Sequence, residues 1–219
     1  MSEEKTHSQD IELGIQSALQ KHPEVVIEIE KGTPFFRVQP TRHKDPVFYN
    51  KNSDSRYGDL TREFGVYYVA ASKEVAIAEI FQHGGAGPGT PVLVTEIQAM
   101  SVHQLATDRT LRVVDVARAS TFVGRKLRQL VEAKGQGSEG YRLTQSLSAT
   151  IMRHSREIDG LLYTSTVFPA ASNKGFNLVL FERRKTQLMP VSSKPLMEVE
   201  LTGGQTAVEF LLDLNLNVE

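Results

Sequence analysis

Two charged side chains stand where folding alone would put apolar ones. Glu79 is the one polar residue in Val75–Ala76–Ile77–Ala78–Glu79–Ile80–Phe81. A carboxylate in so apolar a turn either escapes to solvent at the core's edge or is held for a purpose, at a cost of several kcal/mol. Arg37 sits in Phe35–Phe36–Arg37–Val38, and a guanidinium on an apolar strand must find an anion or several acceptors. A structural pair with a nearby acid and an anionic ligand satisfy that need equally well. Other chemistries drop out. The chain has no cysteine, which excludes disulfides, thiolate zinc sites and a cysteine nucleophile. Its six histidines show no His-x-x-x-His or similar spacing, so no metal site is expected. No His–Asp pair is legible as a relay that would activate a serine.

The elements that must position these residues follow from periodicity. Val66–Tyr67–Tyr68–Val69–Ala70 has the β-branched and aromatic enrichment of a buried strand. Ser72 then caps a helix running through Phe81, with Glu74 in its first turn and Gly84–Gly85 ending it. The run GGAGPGT that follows lacks a Gly-Lys-Ser/Thr ending and comes after a helix, so it reads as a connector or a lid and not as a phosphate-cradling loop. Upstream, residues 1–9 read as disordered, and Asp10 caps a short helix carrying Ile11, Ile15 and Leu19. Glu24 to Glu30 reads as a strand or a bent extension of that helix, and Thr33 to Val38 as a strand. Residues 41–63 form a long polar loop with isolated aromatics, a kind of segment that is often functional in compact domains.

Downstream, Pro91–Ile97, Thr110–Val116, Leu161–Ser165, Phe176–Phe181 and Leu196–Leu201 read as strands. Residues 119–134 and 141–157 read as amphipathic helices, the first with a basic face. Thr206 to Glu209 is a capping box that opens a last helix. Strands interspersed with a few helices predict an α+β domain of mainly antiparallel sheets with flanking helices.

Four segments, in order, resemble the RES-domain family, named for an arginine, a glutamate and a serine. Phe35–Phe36–Arg37–Val38 is similar to its early aromatic-Arg-aliphatic strand, and Ser55–Arg56–Tyr57–Gly58 to its second arginine segment. The strand with Tyr68 and the helix with Glu79 match its strand-Tyr and Ala-x-x-Glu stretch. Asp159–Gly160–Leu161–Leu162–Tyr163–Thr164–Ser165, followed by Asn177–Leu178–Val179–Leu180–Phe181, matches its Asp-Gly-aliphatic-Tyr-x-Ser segment. Val38 departs from those members that carry tyrosine after the first arginine, so an aromatic contact there is missing.

The resemblance implies an ADP-ribosyltransferase-like fold and an enzyme that takes NAD as substrate, in many members a toxin restrained by a protein antitoxin. The resemblance covers a catalytic domain over 33–185; residues 1–32 read as an N-terminal extension, and residues 186–219, which inherit nothing from the comparison, as a strand–helix elaboration packed on that domain. By position, Arg37 and Arg56 bind the dinucleotide, Tyr68 stacks on nicotinamide, Glu79 supports the ribosyl cation, and Ser165 orients ribose or glutamate. On pattern alone Arg56 is an ordinary loop residue, Tyr68 a core residue and Ser165 a sheet cap. The acceptor of ADP-ribose stays open between water, inorganic phosphate and a protein side chain. A non-catalytic interaction module is the rival reading.

The totals agree with a soluble globular enzyme. At 219 residues, 40% hydrophobic and 23% charged, the chain has enough apolar matter for a core. A net charge of −1 gives no electrostatic footprint for nucleic acid or an anionic membrane. The polar start MSEEKTHSQD is no signal peptide, so a cytoplasmic location is the expectation.

Overall fold

The computed structural model describes residues 2–52, 54–83, 90–122, 137–168, 174–182, 184 and 187–219. In chain order it contains α1 (Ser2–Lys21), β1 (Val26–Ile29), β2 (Pro34–Pro40), β3 (Val66–Ala70), α2 (Lys73–His83) and α3 (Val94–Gln98). There follow β4 (Met100–Thr107), β5 (Leu111–Asp115), α4 (Val116–Phe122), α5 (Gly137–His154), β6 (Gly160–Thr164), β7 (Phe176–Phe181), β8 (Leu188–Pro195) and α6 (Ala207–Asp213). The strands form one eight-stranded sheet in the order β1-β5-β6-β7-β3-β2-β4-β8. Only the β5–β6 pairing is parallel. The fold is therefore a mixed α+β domain with a mainly antiparallel sheet.

The sheet curls. Ile29 of β1 and Leu188 of β8 share one buried cluster with Phe35, Tyr67, Val69 and Leu180, although they lie on the two outermost strands. Strands spaced about 4.8 Å apart would hold those edges roughly 30 Å from each other in a flat sheet. The inner face is thus packed largely against itself. The outer face carries two groups of helices. One cluster unites Ile15 and Leu19 of α1, Ala119 of α4 and Leu147 and Ile151 of α5 with β5, β6 and β7. The other unites Val75, Ile77 and Phe81 of α2, Ile97 of α3 and Phe210 and Leu211 of α6 with β2 and β4.

Local chemistry sets the element ends. Ser72 Oγ accepts from the Val75 N–H at 3.2 Å, as an N-cap should. Thr206 and Glu209 form the reciprocal capping box, with the Thr206 N–H donating to Glu209 Oε2 at 2.8 Å. Where β5 and β6 begin, buried Asp159 accepts from both terminal nitrogens of Arg109, at 2.5 and 3.0 Å, and from the Arg112 N–H at 3.0 Å. Next to it Gly160 packs so tightly that a Cβ there would lie 1.9 Å from the Val179 carbonyl oxygen.

Several local expectations are overturned. Residues 2–9 belong to α1, which starts at Ser2, so Asp10 lies inside the helix and does not cap it. Pro91–Ile97 is no strand: Glu96 Oε2 accepts from the Leu93 N–H at 3.0 Å and starts α3, leaving Val92 in an isolated bridge to Val218. The late strand lies at Leu188–Pro195, and Leu196–Glu198 is a 3-10 turn. The β4 strand was not expected at all. Most of the GGAGPGT run, residues 123–134 of the expected basic helix and residues 169–173 lie outside the described residues. Among the described residues no helix is long and apolar enough to cross a membrane.

Gly160→Ala tests the closeness of β6 and β7. The strand must shift to admit the methyl, at a cost of about 1–3 kcal/mol. The melting temperature should fall by at least roughly 2–4 °C, as a thermal melt will record. A variant that melts with the wild type would mean that the strands are not so close.

Candidate active site

Strands β2 and β3 are registered at one pair, Phe36 opposite Ala70, and then part. Into the gap reaches Arg37. It alternates with Phe36 and Val38, which belong to the outer-face cluster around α2, so its own side chain leaves on the inner face. There its guanidinium stands 4.8 Å above the Tyr67 ring. Nη1 donates to the Tyr68 carbonyl at 3.2 Å and Nε to Gln39 Oε1 at 3.3 Å. Burial pulls its pKa below the ordinary value. A guanidinium nevertheless stays charged at neutral pH. Among the described residues no carboxylate pairs with it. Among the described residues, the need of Arg37 is met by several acceptors and an aromatic face.

The loop over 41–63 closes the outer side of the gap. It is polar in sequence yet tied down. The Tyr68 hydroxyl donates to Ser55 Oγ at 3.0 Å and accepts from the Tyr57 N–H at 2.9 Å. From α5, Gln145 Nε2 donates to the Ser55 carbonyl at 2.9 Å and Ser148 Oγ to the Tyr57 carbonyl at 2.8 Å. Between these anchors Arg56 is held with its guanidinium 6.0 Å from the Tyr141 ring. It too forms no ion pair with a carboxylate among the described residues.

Glu79 comes from α2. Its Oε1 accepts from Ser165 Oγ at 2.9 Å and from Asn177 Nδ2 at 2.6 Å. Ser165 is 1% exposed, and its Oγ also accepts from the Val167 and Phe168 N–H groups, at 3.3 and 3.1 Å. Its proton points to the glutamate, and its lone pairs accept from the two backbone N–H groups.

These elements enclose a cavity of about 370 Å³ along the seam between the two helical clusters. Arg37, Arg56, Tyr68 and Glu79 all line it; Ser165 does not. The volume falls in the range of small-molecule sites, roughly 300–1,000 Å³. Two guanidiniums and one carboxylate make its wall favourable to an anion near the arginines, with an acidic group elsewhere on the same wall. Phe36, Phe48, Tyr141 and Tyr163 supply aromatic surface. Sequence reasoning assigned no role to Asn177, Tyr141 or Tyr163. Asn177 was the detectable one, as an amide inside an apolar strand. Among the described residues no group of histidines and carboxylates could hold a metal ion.

Burial disfavours the ionised form of Tyr68 and Tyr163. Burial raises the Tyr68 pKa to about 12. Burial, then the charge of Glu79, raises that of Tyr163 well above its ordinary value. Tyr49 is pushed to about 12, and Tyr57 and Tyr67 higher still, all chiefly by burial.

The family model described as the RES domain matches residues 34–201. No curated protein matches the chain. Among solved structures, a chain from the crystal structure of the M. tuberculosis MbcT–MbcA toxin–antitoxin complex superposes with a TM-score of 0.58 at 16% identity. The alignment covers 91% of this chain and 96% of that one. At so low an identity the likeness shows a shared fold.

The buried phenols fix the alkaline behaviour. A phenol whose folded pKa lies above its unfolded value of about 10 contributes stability that is complete below pH 10 and lost as pH rises toward the folded value. Most phenolate absorbance should therefore appear together with loss of circular dichroism above pH 10. Several tyrosines titrating near pH 10 in a folded chain would contradict the packing around Tyr68 and Tyr163.

Proposed function

We propose that this chain, which belongs to the RES-domain family, is an enzyme that consumes NAD by cleaving its nicotinamide–ribose bond. The observation that carries the reading is the convergence of Arg37, Arg56, Tyr68 and Glu79, from β2, the 41–63 loop, β3 and α2, on one cavity.

The chemistry needs those residue types. As the bond breaks, its electron pair moves to the ring nitrogen and discharges the pyridinium, leaving an electron-poor anomeric carbon. An acceptor oxygen then supplies the pair for a new C–O bond and, if it is water or a hydroxyl, releases a proton. Little bond-making falls to the protein. It must hold the pyrophosphate, orient the nicotinamide and stabilise positive charge on the ribose. Arg37 and Arg56 bind the phosphates as charge-assisted donors. Tyr68, rigid because its hydroxyl is tied to Ser55 and Tyr57, offers its ring to the nicotinamide. Glu79 faces the developing cation, and Ser165 and Asn177 hold it ready, so no reorganisation is needed at the moment of reaction.

Free NAD is the substrate, with water or inorganic phosphate as acceptor, making the enzyme a glycohydrolase or a phosphorylase. Transfer to a protein side chain would use the same cavity, but among the described residues no surface feature marks a protein substrate. An enzyme that drains NAD endangers its host, so a protein antitoxin that covers the cavity is the natural control. The solved toxin–antitoxin complex with the same fold is consistent with that arrangement.

Incubating the pure protein with NAD, with and without phosphate, and identifying the products tests this reading. Nicotinamide should appear together with ADP-ribose or its phosphorylated counterpart. Loss of one charge-assisted contact, worth about 1.5–3 kcal/mol, means that Arg37→Ala should raise KM about tenfold or more. Intact NAD after long incubation with folded protein would refute the assignment, and wild-type kinetics in Arg37→Ala would make that arginine structural.

A further inference from the structure

A second cavity, of about 410 Å³, opens over β4 and β8. His103 stands directly opposite Arg37 in the β2–β4 pairing, so it shares the inner face with that arginine, away from Glu79. The wall includes His43, Lys44, Ser101, His103, Ser192 and Ser193. No carboxylate lines it, although the chain carries 26 acidic residues. Asp45, the closest in sequence, turns its Oδ1 to the Val47 N–H at 2.8 Å.

The wall is a built one. The turn that presents His43 and Lys44 is fixed by the His43 N–H on the Pro40 carbonyl at 2.9 Å and by Gln39 Nε2 on the His43 and Asp45 carbonyls, at 2.8 and 3.2 Å. Thr41 Oγ1 and Ser101 Oγ are hydrogen-bonded at 2.9 Å across its base. On β8, Ser193 stands opposite His103 and so shares its face of the sheet, before a register shift near Val191 interrupts the pairing with β4. Lys44 makes no ion pair among the described residues. His103 is 6% exposed, and its Nε2 is sealed without a hydrogen-bond partner. A lysine and hydroxyl donors around a concavity with no acid, and a guanidinium behind its floor, describe an electropositive, donor-rich pocket.

We propose that this cavity is a binding site for a tetrahedral oxyanion of the phosphate or sulfate class, separate from the NAD cavity. Lys44 supplies charge at the mouth, His43 a ring nitrogen beside it, and the hydroxyls of Thr41, Ser101 and Ser193 supply donors. The bound anion sits against His103, whose neighbour across the pairing is Arg37. That places the ion one residue behind the arginine that reaches into the first cavity. The inference does not depend on NAD being the substrate.

Calorimetric titration of the full chain with sulfate, and in parallel with inorganic phosphate, tests it. Saturable binding should be at least tenfold weaker in the double variant His43→Ala, Lys44→Ala, whose exposed side chains leave the fold intact. It should persist in Arg56→Ala, which disables the first cavity. A third arm with a simple phosphate monoester separates a free anion from a phosphoryl group carried on a larger molecule. Two results would overturn the proposal: no saturable sulfate binding at millimolar concentration, or binding that survives in the double variant and is lost in Arg56→Ala.

Discussion

The parting of β2 and β3 after one registered pair is the constraint on which the site depends. Continued pairing would have filled the Tyr68 carbonyl with a backbone donor from β2 and left no gap. Instead that carbonyl accepts from Arg37, whose guanidinium stands in for the missing strand contact. A buried cation without a carboxylate is costly, and here the cost is met by a carbonyl, an amide oxygen and the face of Tyr67. None of these neutralises the charge. The field left over is what an anionic substrate would meet.

Around that gap the two helical clusters do different work. The α2 cluster brings in Glu79, and the α5 cluster grips the Ser55–Tyr57 stretch through Gln145 and Ser148 and so holds Arg56. Because each cluster has its own apolar core, the seam between them can stay open at little cost to stability. Glu79 and Arg56 thus come from opposite banks, while Arg37 comes from β2, on the α2 side. The loop itself needs its anchors: without the Tyr68 hydroxyl, residues 54–57 would lose their hold on the sheet.

Some of this was legible in the sequence, for identifiable reasons. Glu79 and Arg37 break apolar runs, and a charge that interrupts a strand or helix face is visible without any tertiary information. Arg56 was not visible in that way, because an arginine in a polar loop is ordinary, and only its resemblance to a family segment singled it out. Asn177 lies 98 residues from its partner Glu79 and reads locally as part of a strand. Strand β8 was missed because Pro190, Ser192, Ser193, Lys194 and Pro195 read as loop, whereas an edge strand tolerates proline and exposed polar residues. Strand β4 alternates polar and apolar residues without the β-branched density of β3. The run Pro91–Ile97 went the other way, since its β propensity yielded to a local turn held by Glu96.

The central claim is that the Glu79 carboxylate meets charge that exists only in the transition state. Glu79→Gln keeps the shape and removes the charge, so steady-state kinetics of nicotinamide release, measured beside a thermal melt, test it most directly. The account predicts kcat lower by on the order of a hundredfold or more, with KM for NAD little changed. It also predicts a melting temperature that holds or rises, because a partly desolvated charge has left an apolar turn. Full turnover by a folded Glu79→Gln chain would contradict it.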